Sequence, residues 1–136
     1  MLKKSPAKLI NAIKNGHLNA VKYLVKNGDR VNANNNYALH LAAKYEHLEV
    51  IKYLIENGAC VNADNDKALR WASKNGHVDI VKYLVERGAN IHANDDRALC
   101  LASKYGHLDI VKYLVENGAC VHADNDKALR WASENG

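Results

Sequence analysis

A thirty-residue step runs through this chain. The ten residues DNDKALRWAS at 64–73 return letter for letter at 124–133, and aligning 61–90 with 91–120 gives 19 identities in 30 positions. His17, His47, His77 and His107 keep the step, as do Tyr23, Tyr53, Tyr83 and Tyr113. A fixed period of this length is the mark of a repeat architecture, in which each unit is one small motif and neighbouring units supply the core. The two-period echo at 64 and 124 marks duplication of a two-unit block.

Each unit predicts two short helices. In DKALRWASKNG, Ala68, Leu69, Trp71 and Ala72 fall on one side of a helix, while Lys67, Arg70 and Lys74 fall on the other. Asp66 is the expected N-cap, with Asp96 and Asp126 in the same role, and Gly76 the left-handed stop. In HVDIVKYLVERG, Val78, Ile80, Val81, Leu84 and Val85 form a broad apolar arc opposite Asp79, Lys82 and Glu86. Ser5 and Pro6 offer a cap and a preset first turn at the start. The expected helix pairs are about 6–27, 37–57, 67–87 and 97–117, with a lone helix at 127–134. One pair cannot bury its own arc, so the pairs must stack into an all-α solenoid, a single domain over 1–136.

The segments YALHLAAKYEHLEVIKYLIENGACVNA, KALRWASKNGHVDIVKYLVERGANIHA and RALCLASKYGHLDIVKYLVENGACVHA resemble ankyrin repeats, with the family's G-H turn and its V-V-K-x-L-L-x-x-G-A-x-V-N-A ending. The family's Thr-Pro is replaced by Tyr37–Ala38, Lys67–Ala68, Arg97–Ala98 and Lys127–Ala128, and its histidine remains only as His40. The period of 30 is three short of the family's usual ~33, so the resemblance implies helix pairs joined by shortened loops with little or no strand pairing. The 30-residue style is most similar to the ankyrin-repeat proteins of giant DNA viruses, which implies a host cytoplasm as the setting.

Chemistry finds little footing. Equivalent histidines of stacked units lie about 10 Å apart, whereas zinc ligands must sit within about 2.1 Å of one ion, so no metal is expected. DNDKAL opens like a calcium loop but has Leu69 and Asn75 at its sixth and twelfth places instead of Gly and Glu. No phosphate loop and no nucleophile with its own histidine appear, so no enzyme, no cofactor and no small-molecule substrate are expected. No apolar run approaches a membrane span, and the start MLKKSPAKLINAIKNGH lacks a secretory signal. Of the three cysteines, Cys60 and Cys120 occupy equivalent positions, which suggests repeated packing in a reducing, intracellular compartment. Cys100 falls on the polar side of a first helix.

The side chains on the outer side of the first helices vary most between units. Tyr37, Lys67, Arg97 and Lys127 form one row, His40, Arg70, Cys100 and Arg130 a second, and Lys44, Lys74, Lys104 and Glu134 a third; eight of these twelve are basic. The preceding loops, NANNN, NADND, HANDD and HADND, place Asp64, Asp66, Asp95 and Asp96 along a rim, and Tyr45, Asn75 and Tyr105 stand at the turns. The resemblance implies that loop tips and first helices line a concave face that binds a partner protein. Trp71 and Trp131 replace a leucine, as packing residues or as aromatic anchors. With 19 basic and 15 acidic residues the formal charge is only +4, and the rim acids disfavour nucleic acid. Polyanion binding by the basic stripe, or membership of a longer structural array, stays open as an alternative.

Overall fold

The computed structural model describes residues 6–121 and Arg130. The chain winds through α1 (Pro6–Lys14), α2 (Leu18–Lys26), α3 (Ala33–Lys44), α4 (Leu48–Glu56), α5 (Ala63–Asn75), α6 (Val78–Glu86), α7 (Ala93–Lys104) and α8 (Leu108–Glu116), with no strand among the described residues. Odd-numbered helices pack on one another in file, and in the second layer α2 packs on α4 and α6 on α8, which is the stacking the period demands. The first helices approach each other more closely than the second helices do. Small residues explain the difference: Ala38, Ala42, Ala68, Ala72, Ala98 and Ala102 are buried between first helices, while Ile51, Leu54, Ile80, Leu84, Ile110 and Leu114 hold the second layer further apart. A row of units spaced more tightly on one side bends toward that side, so the first helices line the inner face. All these residues join one continuous apolar core, each unit covering the next.

The connections between units differ from the expectation of simple capped turns. Asn34–Asn35–Asn36, Asp64–Asn65–Asp66 and Asn94–Asp95–Asp96 each run as three successive left-handed residues, with φ between 52° and 62°. The right-handed part of α3, α5 and α7 begins only after them. Asn and Asp are the non-glycine residues that adopt this conformation most readily, which accounts for their density in every loop. Asp66 and Asp96 are therefore not the N-caps that the sequence suggests. They are 3% and 5% exposed, and each reaches into the following unit: the Asn90 amide donates to Asp66 Oδ1 at 2.8 Å, and the Cys120 amide to Asp96 Oδ1 at 3.0 Å. Asn36 does the same with its amide oxygen, accepting from the Cys60 amide at 2.7 Å. The expected cap roles of Ser5 and Asp126, the lone helix at 127–134 and the packing of Trp131 lie outside the described residues.

The turn histidines join the units a second time. His47, His77 and His107 place Nε2 at 2.8, 3.2 and 2.8 Å from the carbonyls of Lys14, Lys44 and Lys74, one unit back. These bonds assign Nε2–H as donor to an acceptor that has no proton to give. Cys60 and Cys120 are exposed, so the repeated contact at these positions is the backbone amide and not the packed thiol that the sequence suggested.

At Ser73 a polar atom stands in the core where a neighbouring unit has none to satisfy. Ser73 is fully buried and its Oγ makes no hydrogen bond, whereas Ala43 fills the equivalent place one unit earlier. A buried hydroxyl without a partner costs about 1–3 kcal/mol. Ser73→Ala is expected to raise stability by about 1 kcal/mol, measured as a higher urea midpoint at unchanged slope.

Candidate functional site

Along the inner face the first helices present side chains at positions that share a side of the helix, one row per turn. Lys44, Lys74 and Lys104 form a row with aromatic rings standing between them. The Lys44 ammonium lies 5.4 Å from the centre of Tyr45 and 5.1 Å from that of Trp71. Lys74 lies 5.2 Å from Trp71 and 5.7 Å from Tyr105, and Lys104 lies 5.6 Å from Tyr105. Cations within about 6 Å of a ring centre are attracted by its negative face. The result is an alternating stripe of rings and ammonium groups across three units. Tyr45 and Tyr105 are 42% and 46% exposed, and Trp71 is half-buried, so the rings still offer surface to a partner.

Between α5 and α7 the stripe deepens into a cleft of about 200 Å³ lined by Lys67, Arg70, Trp71, Lys74, Arg97 and Leu101. The left-handed stretch in the first turn of α5 shapes it. Arg70 Nε donates to the Asn65 carbonyl at 3.1 Å and Nη2 to the Asp64 carbonyl at 2.9 Å, which fixes the guanidinium over its own loop. Lys67 stands 3.5 Å from the Asp64 carboxylate. Arg97 forms no ion pair among the described residues. Asn75 at the end of α5 returns its side-chain N–H to the Trp71 carbonyl at 2.9 Å and stays exposed.

The residues singled out in the sequence divide accordingly. Tyr37, Lys44, Tyr45, Asp64, Asp95, Lys104 and Tyr105 are exposed on or beside this face, and Lys67, Arg70, Lys74 and Arg97 stand half-buried around the cleft. Arg130 is exposed, and Lys127 lies outside the described residues. Four do not belong to an open surface. Asp66 and Asp96 are turned inward to the next unit, His40 is 5% exposed and Cys100 is fully covered. Those positions are polar by pattern, and at His40 the next unit brings Ala63, Asp64, Lys67 and Arg70 close enough to act on the ring. Leu101, which no charge pattern marks, completes the cleft.

His40 illustrates the cost of that burial. Its Nε2 is buried without a partner, and desolvation, helped by the charge of Lys67, holds its pKa below the ordinary value of about 6.5. Asp64 and a hydrogen bond to the Ala63 backbone act the other way, and Arg70 adds to the lowering. The unfolded chain therefore binds the proton first as pH falls, and the folded state loses stability as pH drops through 6.5 toward the folded value. Above that window the histidine is neutral in both states and contributes no slope. His40→Leu is expected to flatten the loss of stability between pH 7 and pH 5 in urea titrations; an unchanged slope would assign the acid sensitivity elsewhere.

Among the described residues no group of three or more His, Cys, Asp or Glu side chains is placed to hold a metal ion, and no helix is long and apolar enough to cross a membrane. A family model described as ankyrin repeats, three copies, matches residues 9–95, and a model of a single ankyrin repeat matches residues 94–126. Set against the curated proteins, the chain finds no match.

Proposed function

Because this chain belongs to the ankyrin-repeat family, whose repeats generally serve as protein–protein interaction scaffolds, we propose that it is a non-catalytic scaffold binding a partner protein on the face of its first helices. The single observation that carries the reading is the alternating stripe of Tyr45, Lys44, Trp71, Lys74 and Tyr105 on the inner face. Half-exposed rings held in place by their neighbours supply contact area at little entropic cost, and aromatic residues carry much of the energy at protein interfaces. The exposed thiols of Cys60 and Cys120 fit a reducing compartment, so the partner is sought inside the cell. If the viral resemblance holds, that partner is a host protein.

Affinity capture tests the face. Lys44→Glu together with Lys104→Glu, both exposed and outside the cleft, is expected to strip the specific partner from the captured set, while Lys112→Glu on α8 leaves it in place. Equal capture by all three chains would remove the stripe outside the cleft as the binding surface. A second reading rests on the same cations: a polyanion such as nucleic acid, whose affinity would fall steeply with salt. The exposed carboxylates of Asp64 and Asp95 beside the stripe oppose a phosphate backbone. Retention of the partner at raised ionic strength favours the protein.

A further inference from the structure

We propose that the cleft between α5 and α7 receives an extended acidic peptide of a partner protein, in the order acidic, any, apolar, any, acidic. This deepens the reading of the first-helix face as a protein-binding surface and rests on it. Three features of the cleft specify the chemistry.

The first is charge. Lys67, Arg70, Lys74 and Arg97 surround about 200 Å³, and the Lys67–Asp64 contact is the only ion pair that any of them makes among the described residues. A partner segment with two carboxylates would offset much of the remaining repulsion. Arg70 is set for such a role, since its bonds to the Asp64 and Asn65 carbonyls hold it in place and leave three of its five N–H groups for an incoming oxygen.

The second is order along the helix. Lys67, Arg70 and Lys74 share one side of α5 with Trp71 at its border, all four lining the cleft, and the rise of about 1.5 Å per residue puts Lys67 and Lys74 about 10.5 Å apart with Trp71 between them. An extended peptide presents alternate residues to one side, with about 6.6 Å between them, so residues one, three and five span about 13 Å. Cation, ring and cation on α5 therefore face carboxylate, apolar side chain and carboxylate on the peptide, and the flexible lysine stems take up the remaining difference. A single phosphate cannot reach all of these cations.

The third is the floor. Trp71 is half-buried, and Leu101 beside it extends the apolar surface, so the centre of the site favours an apolar side chain flanked by charge. A strip of cations alone would bind any anion, whereas this centre selects against a segment with three acids in a row.

Fluorescence of Trp71 reads the site. In a Trp131→Leu chain Trp71 is the sole tryptophan, and leucine already stands at the equivalent positions 41 and 101. Titration with a short peptide carrying Glu-Ser-Leu-Ser-Glu is expected to shift the emission saturably, whereas the Gln-Ser-Leu-Ser-Gln analogue binds at least about tenfold more weakly. Arg97→Glu is expected to weaken the acidic peptide by a similar factor. Calorimetry on the unaltered chain repeats the comparison without any substitution. Equal binding of the two peptides, or indifference to Arg97→Glu, overturns the proposal. Inorganic phosphate or a single-stranded oligonucleotide binding as tightly as the acidic peptide also overturns it, in favour of an unselective anion site. If the acidic peptide fails while Lys44→Glu with Lys104→Glu still abolishes partner capture, this inference falls and the scaffold reading stands. If the peptide binds and capture is indifferent to those two changes, the cleft stands and the wider face does not.

Discussion

Asp66→Ala is expected to remove about 3 kcal/mol of stability, and Asp66→Asn almost none. Two losses add in the alanine chain. The Asn90 amide, which donates to Asp66 Oδ1 at 2.8 Å, loses its partner in a part-buried place, at about 1–3 kcal/mol. Alanine must also take up the left-handed φ of 57°, which costs an ordinary L-residue about 1–2 kcal/mol and costs Asn or Asp less. Asparagine keeps both the oxygen and the tolerance, as Asn36 already does in the unit before, with its own acceptor 2.7 Å from the Cys60 amide. Urea unfolding followed by circular dichroism checks the pair. If Asn and Ala cost the same, the side-chain oxygen is not what joins the units.

Gly76→Ala is expected to cost about 3 kcal/mol, well above the same change at Gly106, for a reason that lies in the next unit. Gly76 has a φ of 80°, and a Cβ there would stand 2.7 Å from the His107 ring, close enough to push it off the Lys74 carbonyl it bonds at 2.8 Å. Gly106 has a φ of 75°, but a Cβ there meets nothing among the described residues, so only the backbone strain remains. Adding His107→Ala to Gly76→Ala should therefore cost less than the two single changes summed, because the collision disappears with the ring. The second unit already carries a version of this experiment. Glu46 takes the glycine's place at a φ of 64°, and the His77 bond to the Lys44 carbonyl is 3.2 Å where its equivalents are 2.8 Å. Strict additivity in the double variant would count against the steric account.

The period, the helix pairs and their stacking were legible in the sequence because they follow from patterns a helix or a repeat makes local. The roles of Asn36, Asp66 and Asp96 were not. Read beside their own helices they look like caps, and the amides they bond lie 24 residues downstream, where only the superposed units bring them. The histidines were legible as turn residues, but their bonds to carbonyls one unit back depend on the same superposition. On the binding face, the lysine rows could be read from helical spacing. His40 and Cys100 fell on the same polar side and yet are covered; α3, which carries His40, is flanked by α1 and α5, and a helical wheel knows of neither. Trp71 gave the opposite difficulty. A leucine position suggests core, but an indole is too large to be taken in whole, and its ring remains half out between two lysines.

The central claim is that side chains of one unit hold the backbone of the next, so that no unit is closed by itself. Amide hydrogen exchange at Cys60, Asn90 and Cys120 tests it most directly, since these residues are exposed, stand in no helix, and donate to Asn36, Asp66 and Asp96. All three amides should be protected like helical ones, and Asp66→Ala should release Asn90 while Cys60 stays slow. Exchange of the three at the rate of open loops in the unaltered chain would contradict the account.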